Sequence, residues 1–192
     1  FPFGFKEVEG IHSRTDFDLG NHQEVSRKKM QYFDNEINQN YVPYVIETSA
    51  GLDRLFMMIL ANAYREEEVG DGDQKKIRTY LRIHPALAPF KAAIFPLVKK
   101  DGLPEVAQKI FRDLKYDFNM IDEENQSIGK RYTRQDLVGT PYCIAVDHQT
   151  LEDETVTIRD RDTMDQVRVK IPALREEIGK RVSMRDILEK LD

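Results

Sequence analysis

Residues 47–54 read Glu-Thr-Ser-Ala-Gly-Leu-Asp-Arg, bringing a carboxylate, a hydroxyl, a glycine and a guanidinium into one short stretch. A helix beginning after Gly51 would offer free backbone N–H groups and the positive end of its dipole, which suit a phosphate or a carboxylate. On that reading Glu47 holds an ammonium group and Arg54 an anion. The ordinary alternative weighs equally: Ser49 caps the helix, and Glu47 and Arg54 form an ion pair. A second cluster, Glu7, Glu9, Arg14, Asp16 and Asp18, sets carboxylates where a magnesium ion or a substrate amine could bind. Exposed charge on an edge strand is the plainer account of it. A third stretch, residues 128–136, holds Lys130, Arg131, Tyr132, Arg134, Gln135 and Asp136. Cations for phosphates, an aromatic plane for an unstacked base and polar groups for base edges fit single-stranded RNA, although a solvated basic helix end is commoner.

The remaining candidates are weak. His12, His22, His84 and His148 lack metal-ligand spacing, and no phosphate-binding glycine motif is present. The single cysteine, Cys143, sits in an apolar run and reads as a small core residue.

The elements that must position these groups can be read from periodicity. Residues 6–11 alternate loosely as a strand, and residues 41–46 form a β-rich run that reads as a buried strand ending where the 47–51 segment begins. Leu52, Leu55, Phe56, Ile59, Leu60 and Ala63 recur at the spacing of one buried helical face, which predicts a helix to about Arg65. The acidic, glycine-containing residues 66–73 read as an exposed loop and residues 79–83 as a strand. Two prolines in residues 84–89 mark a domain boundary.

Beyond it strand and helix alternate. Strands are expected at residues 92–98, 118–122 and 142–146. Helices are expected at residues 104–114, around 135–138 and from Pro172 onward, with a short one near 184–191. A hairpin is expected about residues 160–163. The fold class is therefore mixed α/β, of the α+β kind, with a mixed sheet flanked by helices.

The chain has 192 residues, 40% hydrophobic and 33% charged, with a formal net charge of −5. That composition describes a soluble globular chain of one domain or two small ones and excludes disorder. One cysteine excludes an internal disulfide and a cysteine-rich zinc site, and favours a reducing, cytoplasmic setting. No apolar run approaches the length of a membrane span, and no secretory signal is visible. Beyond residue 86 acids slightly outnumber bases, so contact with RNA would be local. The first residue is not methionine, which suggests a piece of something longer.

Taken in order, these pieces resemble the C-terminal part of the glycyl-tRNA synthetases, members of class IIa of the class II aminoacyl-tRNA synthetases. Residues 4–11 (Gly-Phe-Lys-Glu-Val-Glu-Gly-Ile) and 14–19 (Arg-Thr-Asp-Phe-Asp-Leu) look like the segment before the insertion that precedes motif 3. Residues 41–54 look like motif 3 itself. His84-Pro85, residues 99–104, Gly129-Lys130-Arg131-Tyr132 and Gly139-Thr140-Pro141-Tyr142 look like the anticodon-binding domain. The match runs through essentially the whole chain, with Thr48 standing where the family pattern has proline.

The resemblance implies residues 1–83 as the C-terminal part of an antiparallel-sheet catalytic core. It implies residues 84–192 as an α/β anticodon-binding domain with a mixed five-stranded sheet. It implies a glycine pocket of Glu47, Thr48, Ser49, Ala50, Gly51 and Arg14, and ATP contacts from Glu7, Val8, Gly51, Leu52, Asp53 and Arg54. Glu7 would meet magnesium, and Arg54, on the γ-phosphate, would join Glu7 in catalysis. Lys130, Arg131, Tyr132, Arg134 and Gln135 would contact tRNA. The partners implied are glycine, ATP with Mg2+, tRNA(Gly) and a second subunit of a homodimeric parent, with no membrane and no DNA.

Motifs 1 and 2 of the family would lie upstream of Phe1, so the chain alone is expected not to activate glycine. The rival expectations are a non-catalytic synthetase-like accessory subunit of an organellar DNA polymerase, a freestanding RNA-binding protein, and a synthetase of the same class for another amino acid. Glu47, Ser49, Gly51 and Arg54 together speak against the first. Arg14 and Glu47 would be superfluous in the second, and the Glu-x-Ser pair before Gly51 favours glycine over the third.

Overall fold

A computed structural model describes residues 4–70, 75–123 and 125–191. The chain divides into two compact units between Ala61 and Asn62, so the division by contacts falls earlier than the expected boundary at His84.

The first unit pairs β1 (Glu9–Thr15) antiparallel with β4 (Val45–Ala50). Between them run helix α1 (Phe17–Ser26) and a short hairpin of β2 (Tyr32–Asp34) and β3 (Gln39–Tyr41). Helix α2 (Leu52–Ala63) follows β4 after the single residue Gly51. Two expectations are corrected here. The strand expected over residues 41–46 begins at Val45 and continues through Ala50, and none of its residues is buried. The apolar stripe of α2 forms a helix as its period requires, but of that helix only Ala63 is buried, with Leu52 79% and Phe56 62% exposed. Periodicity dictates the face; burial needs a surface to cover it, and the described residues of this unit supply none.

In the second unit, β5 (Tyr64–Val69) and β6 (Lys76–Leu81) form an antiparallel hairpin. The acidic segment expected as a loop is therefore a strand as far as Val69, while Asp71, Gly72 and Asp73 lie outside the described residues. Its glutamates are tolerated because each has a partner: Glu67 lies opposite Arg78 in the register, Glu68 pairs with Lys75, and Glu66 accepts from the Tyr64 hydroxyl.

The main sheet is built from β7 (Ala92–Pro96), β8 (Met120–Asp122), β9 (Tyr142–Val146), β10 (Thr155–Asp160) and β11 (Gln166–Lys170). Its order is β11-β10-β9-β7-β8, with β7 parallel to β8 and β9 and the other pairs antiparallel. Strands β7 and β9 are buried at every residue, as central strands covered on both faces must be.

On one face Ile94, Ile144, Val156 and Ile158 pack with Leu103, Ala107 and Ile110 of α3 (Leu103–Leu114) and with Leu174 and Ile178 of α6 (Leu174–Val182). On the other, Ala93, Phe95 and Cys143 meet Ile128 and Tyr132 of α4 (Ile128–Val138). Burial pushes the Cys143 thiol pKa well above its ordinary value, as suits a packing residue. Helix α5 (His148–Asp153), which periodicity does not reveal, opens on a capping box between Asp147 and Thr150. A 3-10 turn over Ile171–Ala173 leads into α6, and the short α7 (Arg185–Leu188) follows.

Gly139 ends α4 in the left-handed region at φ +81°, where a Cβ would come within 2.9 Å of Ile83 Cδ1 and 3.1 Å of the Leu81 carbonyl oxygen. Both conformation and space therefore require glycine there. Among the described residues no helix is long and apolar enough to cross a membrane.

Candidate functional site

In the first unit the antiparallel register sets His12 opposite Glu47 and Gly10 opposite Ser49. Directly opposed residues share a face and side chains alternate along a strand, so these four lie on one face of the two-stranded sheet. The register shifts between Ser13 and Thr15, leaving Arg14 as the extra residue of a bulge, with Thr15 at φ +53°. A bulge re-aims the side chain it carries. The Arg14 guanidinium accordingly reaches Glu47 at 3.3 Å and grips Asp18, in the first turn of α1, through Nε at 2.9 Å and Nη2 at 2.8 Å.

Hydrogen bonding to Arg14 holds the Asp18 carboxyl below its ordinary pKa, and the same bond raises Arg14 above its own. The face thus offers a carboxylate, a hydroxyl and a guanidinium side by side. That arrangement can take a small zwitterion, its ammonium on Glu47 and Ser49 and its carboxylate toward Arg14.

Neither ordinary alternative for residues 47–54 holds. Ser49 lies within β4 while Gly51 precedes the helix, and Glu47 pairs with Arg14 rather than with Arg54. Arg54 Nη1 instead donates to the Glu7 carbonyl oxygen at 2.7 Å, and the Gly51 N–H donates to the Val8 carbonyl oxygen at 3.3 Å. The start of α2 and the stretch ahead of β1 are thereby joined, with Leu52, Asp53 and Arg54 in its first turn. Thr48 and Ala50 face the other way, paired with Ile11 and Glu9.

Of the acidic cluster, the structure joins Asp18 to Arg14 and disperses the rest. Glu7 precedes β1, Glu9 lies on the opposite face, and Asp16 is the N-cap residue of α1 without a side-chain bond. Among the described residues no group of three His, Cys, Asp or Glu side chains could hold a metal ion. Glu7 offers one carboxylate, which fits a magnesium ion carried mainly by phosphate oxygens.

The third stretch is corrected by burial. Arg131 is only 3% exposed, and its Nη1 donates to the Pro96 and Glu123 carbonyl oxygens at 2.7 and 3.2 Å. Tyr132 packs edge-on against Phe95 at 5.3 Å between centroids, and Gln135 donates to Glu123 and accepts from Thr140. Lys130 and Arg134 remain exposed, the latter paired with Glu123. The five residues therefore do not form one surface patch: three hold the helix to the sheet.

Sequence reading also missed a buried ionic group. Asp136 of α4 accepts from Arg159 of β10 at 3.0 and 3.2 Å and from Arg78 of β6 at 3.0 Å. Arg161, 1% exposed, donates to the Gly139 and Ile83 carbonyl oxygens. Alternation along β10 sets Arg159 on the face opposite Ile158, where a cation reads as exposed, although both residues are buried.

Comparison with known proteins gives first the class: residues 91–181 match the anticodon binding domain family. Over most of its length the chain also resembles glycine-tRNA ligases. It is 54% identical over 173 residues to that of Borreliella burgdorferi, covering 89% of this chain and 38% of the relative. It is 56% identical over 171 residues to that of Clostridium beijerinckii, covering 89% and 36%. It is 52% identical over 182 residues to that of Clostridium tetani, covering 95% and 38%. Over 171 to 182 residues the chain is thus similar to glycine-tRNA ligases, with the anticodon binding domain match lying inside that stretch, and it spans 38% or less of the length of these relatives.

Proposed function

We propose that, within a full-length glycine-tRNA ligase, this chain supplies part of the glycine and ATP pocket together with the domain that holds the tRNA anticodon. Residues 1–83 are the end of the catalytic core and residues 84–192 the anticodon-binding domain, in a cytoplasmic homodimer. The observation that carries the reading is the 3.3 Å Arg14–Glu47 pair beside Ser49 on one sheet face.

Glu47 and Ser49 hold the glycine ammonium, with Thr48 and Ala50 completing the strand backbone around them, Gly51 joining that strand to α2, and Arg14 orienting the carboxylate. Glu7, Val8, Gly51, Leu52 and Asp53 flank the nucleotide. Arg54 exchanges its carbonyl acceptor for the γ-phosphate, where its fixed positive charge favours the departing pyrophosphate as the glycine carboxylate attacks the α-phosphorus. Glu7 would hold the magnesium ion, which would supply positive charge to neutralise the phosphates. A terminal ribose hydroxyl of tRNA(Gly) then attacks the carbonyl carbon of the glycyl-adenylate, forming the ester at the 3′ end and releasing AMP. Positioning and charge do this work, with no side-chain nucleophile. In the second domain Lys130 and Arg134 are the exposed cations of α4 that meet tRNA phosphates, while Arg131, Tyr132 and Gln135 keep that helix in place.

The test uses the full-length enzyme. Glu47→Ala should lower glycine-dependent ATP–pyrophosphate exchange by about 10²-fold or more, the scale of removing one partner of a hydrogen-bonded charge pair, with tRNA affinity kept within about twofold. Normal exchange by the variant would overturn the pocket.

A further inference from the structure

We infer that His12 determines selectivity for an amino acid without a side chain, an inference that rests on the glycine pocket proposed above. Gly10 and His12 share the face that carries Ser49 and Glu47, each directly opposite its partner. Having no side chain, Gly10 leaves a slot on that face next to Ser49. His12 closes the slot: a Cβ built on Gly10 would lie 2.5 Å from His12 Nε2 and 3.3 Å from its Cδ2. The strand's burial agrees, because Gly10 is its one buried residue while Glu9 and Ile11 on either side are exposed.

The imidazole therefore fills the slot above Gly10 and beside Ser49, so a ligand whose ammonium sat on Glu47 and Ser49 would find no room for a side chain there. Its part is volume. It neither donates nor accepts a proton in the reaction.

The experiment compares glycine- and alanine-dependent ATP–pyrophosphate exchange in the full-length enzyme for the wild type, His12→Ala and His12→Phe. Truncation to alanine opens the slot, and kcat/KM for alanine relative to glycine should rise by about tenfold or more, since one methyl group is worth roughly 10–200-fold where a pocket excludes it. Phenylalanine refills the slot and should keep the ratio within about threefold of wild type. An unchanged ratio in His12→Ala, or equal relaxation in both variants, would overturn the role of His12 while the pocket stands. A wild-type enzyme with no glycine-dependent exchange would overturn the pocket and, with it, this inference.

Discussion

Replacing Asp136 by alanine should destabilise the second unit more than any other change on α4. The carboxylate is 4% exposed and sits between Arg78 and Arg159, whose side chains are each 9% exposed. It accepts from Arg159 at 3.0 and 3.2 Å and from Arg78 Nε at 3.0 Å, with Arg78 Nη2 at 2.9 Å. Arg78 would keep Glu67 at 2.6 Å and the Arg161 carbonyl oxygen. Among the described residues the Arg159 side chain would keep only the face of Tyr132, 4.9 Å from its guanidinium carbon.

Two desolvated cations would then face one cavity. Removing one partner of a buried ion pair costs about 3–5 kcal/mol, a large part of the roughly 5–15 kcal/mol that holds a domain together. Hydrogen exchange of the β9 amides reads the opening of this unit by itself, and protection there should fall by about 10²-fold or more. The triple replacement Arg78→Met, Asp136→Leu, Arg159→Met should recover most of the loss, because matched apolar groups replace such clusters at little cost. A fall of less than tenfold in Asp136→Ala, or a triple variant no better than the single, would refute the assignment of the cluster as a coupled buried unit.

Two further outcomes follow from α4. The Tyr132 phenol is pushed up to about 12, chiefly by burial. The folded form thus gains nothing below pH 10 and loses relative stability as pH rises from about 10 to 12, where the unfolded tyrosine ionises first. Tyr132→Phe should flatten the alkaline limb of a stability–pH curve, and an identical limb would contradict the burial. Lys130→Ala should weaken tRNA binding and reduce its salt slope by about one with melting unchanged, whereas Arg131→Ala should lower stability by about 1–3 kcal/mol through the orphaned Pro96 and Glu123 carbonyls. Binding and melting assays on both variants check this; loss of tRNA affinity by a fully stable Arg131→Ala would reverse the assignment.

How much could be read from the residues depended on how far apart the interacting partners lie in the chain. Strand β9, helix α3 and the β10–β11 hairpin were legible because an apolar run, a helical period and a turn are local signals. The acidic β5 was not. Glu67 looks like solvated loop charge until the register sets it against Arg78, whose guanidinium also reaches Asp136, 58 residues further along the chain. Arg131 misled for the same reason: its acceptor Pro96 is 35 residues away, and a cation on a helix reads as surface unless such acceptors are known.

In the pocket the types and spacing were visible, but the partnerships were not. A one-residue bulge at Arg14, which no composition signals, turns the guanidinium toward Glu47 and leaves Arg54 for Glu7. The same register makes Gly10 informative. A glycine beside a charged pair reads as mere flexibility in the sequence, whereas opposite Ser49 and beneath an imidazole it becomes a measure of how much room a ligand has. Selectivity in this site would then be set by the pairing of two strands, and a one-residue slip of β1 against β4 would turn His12 to the other face and abolish it, with every candidate residue still present in the sequence.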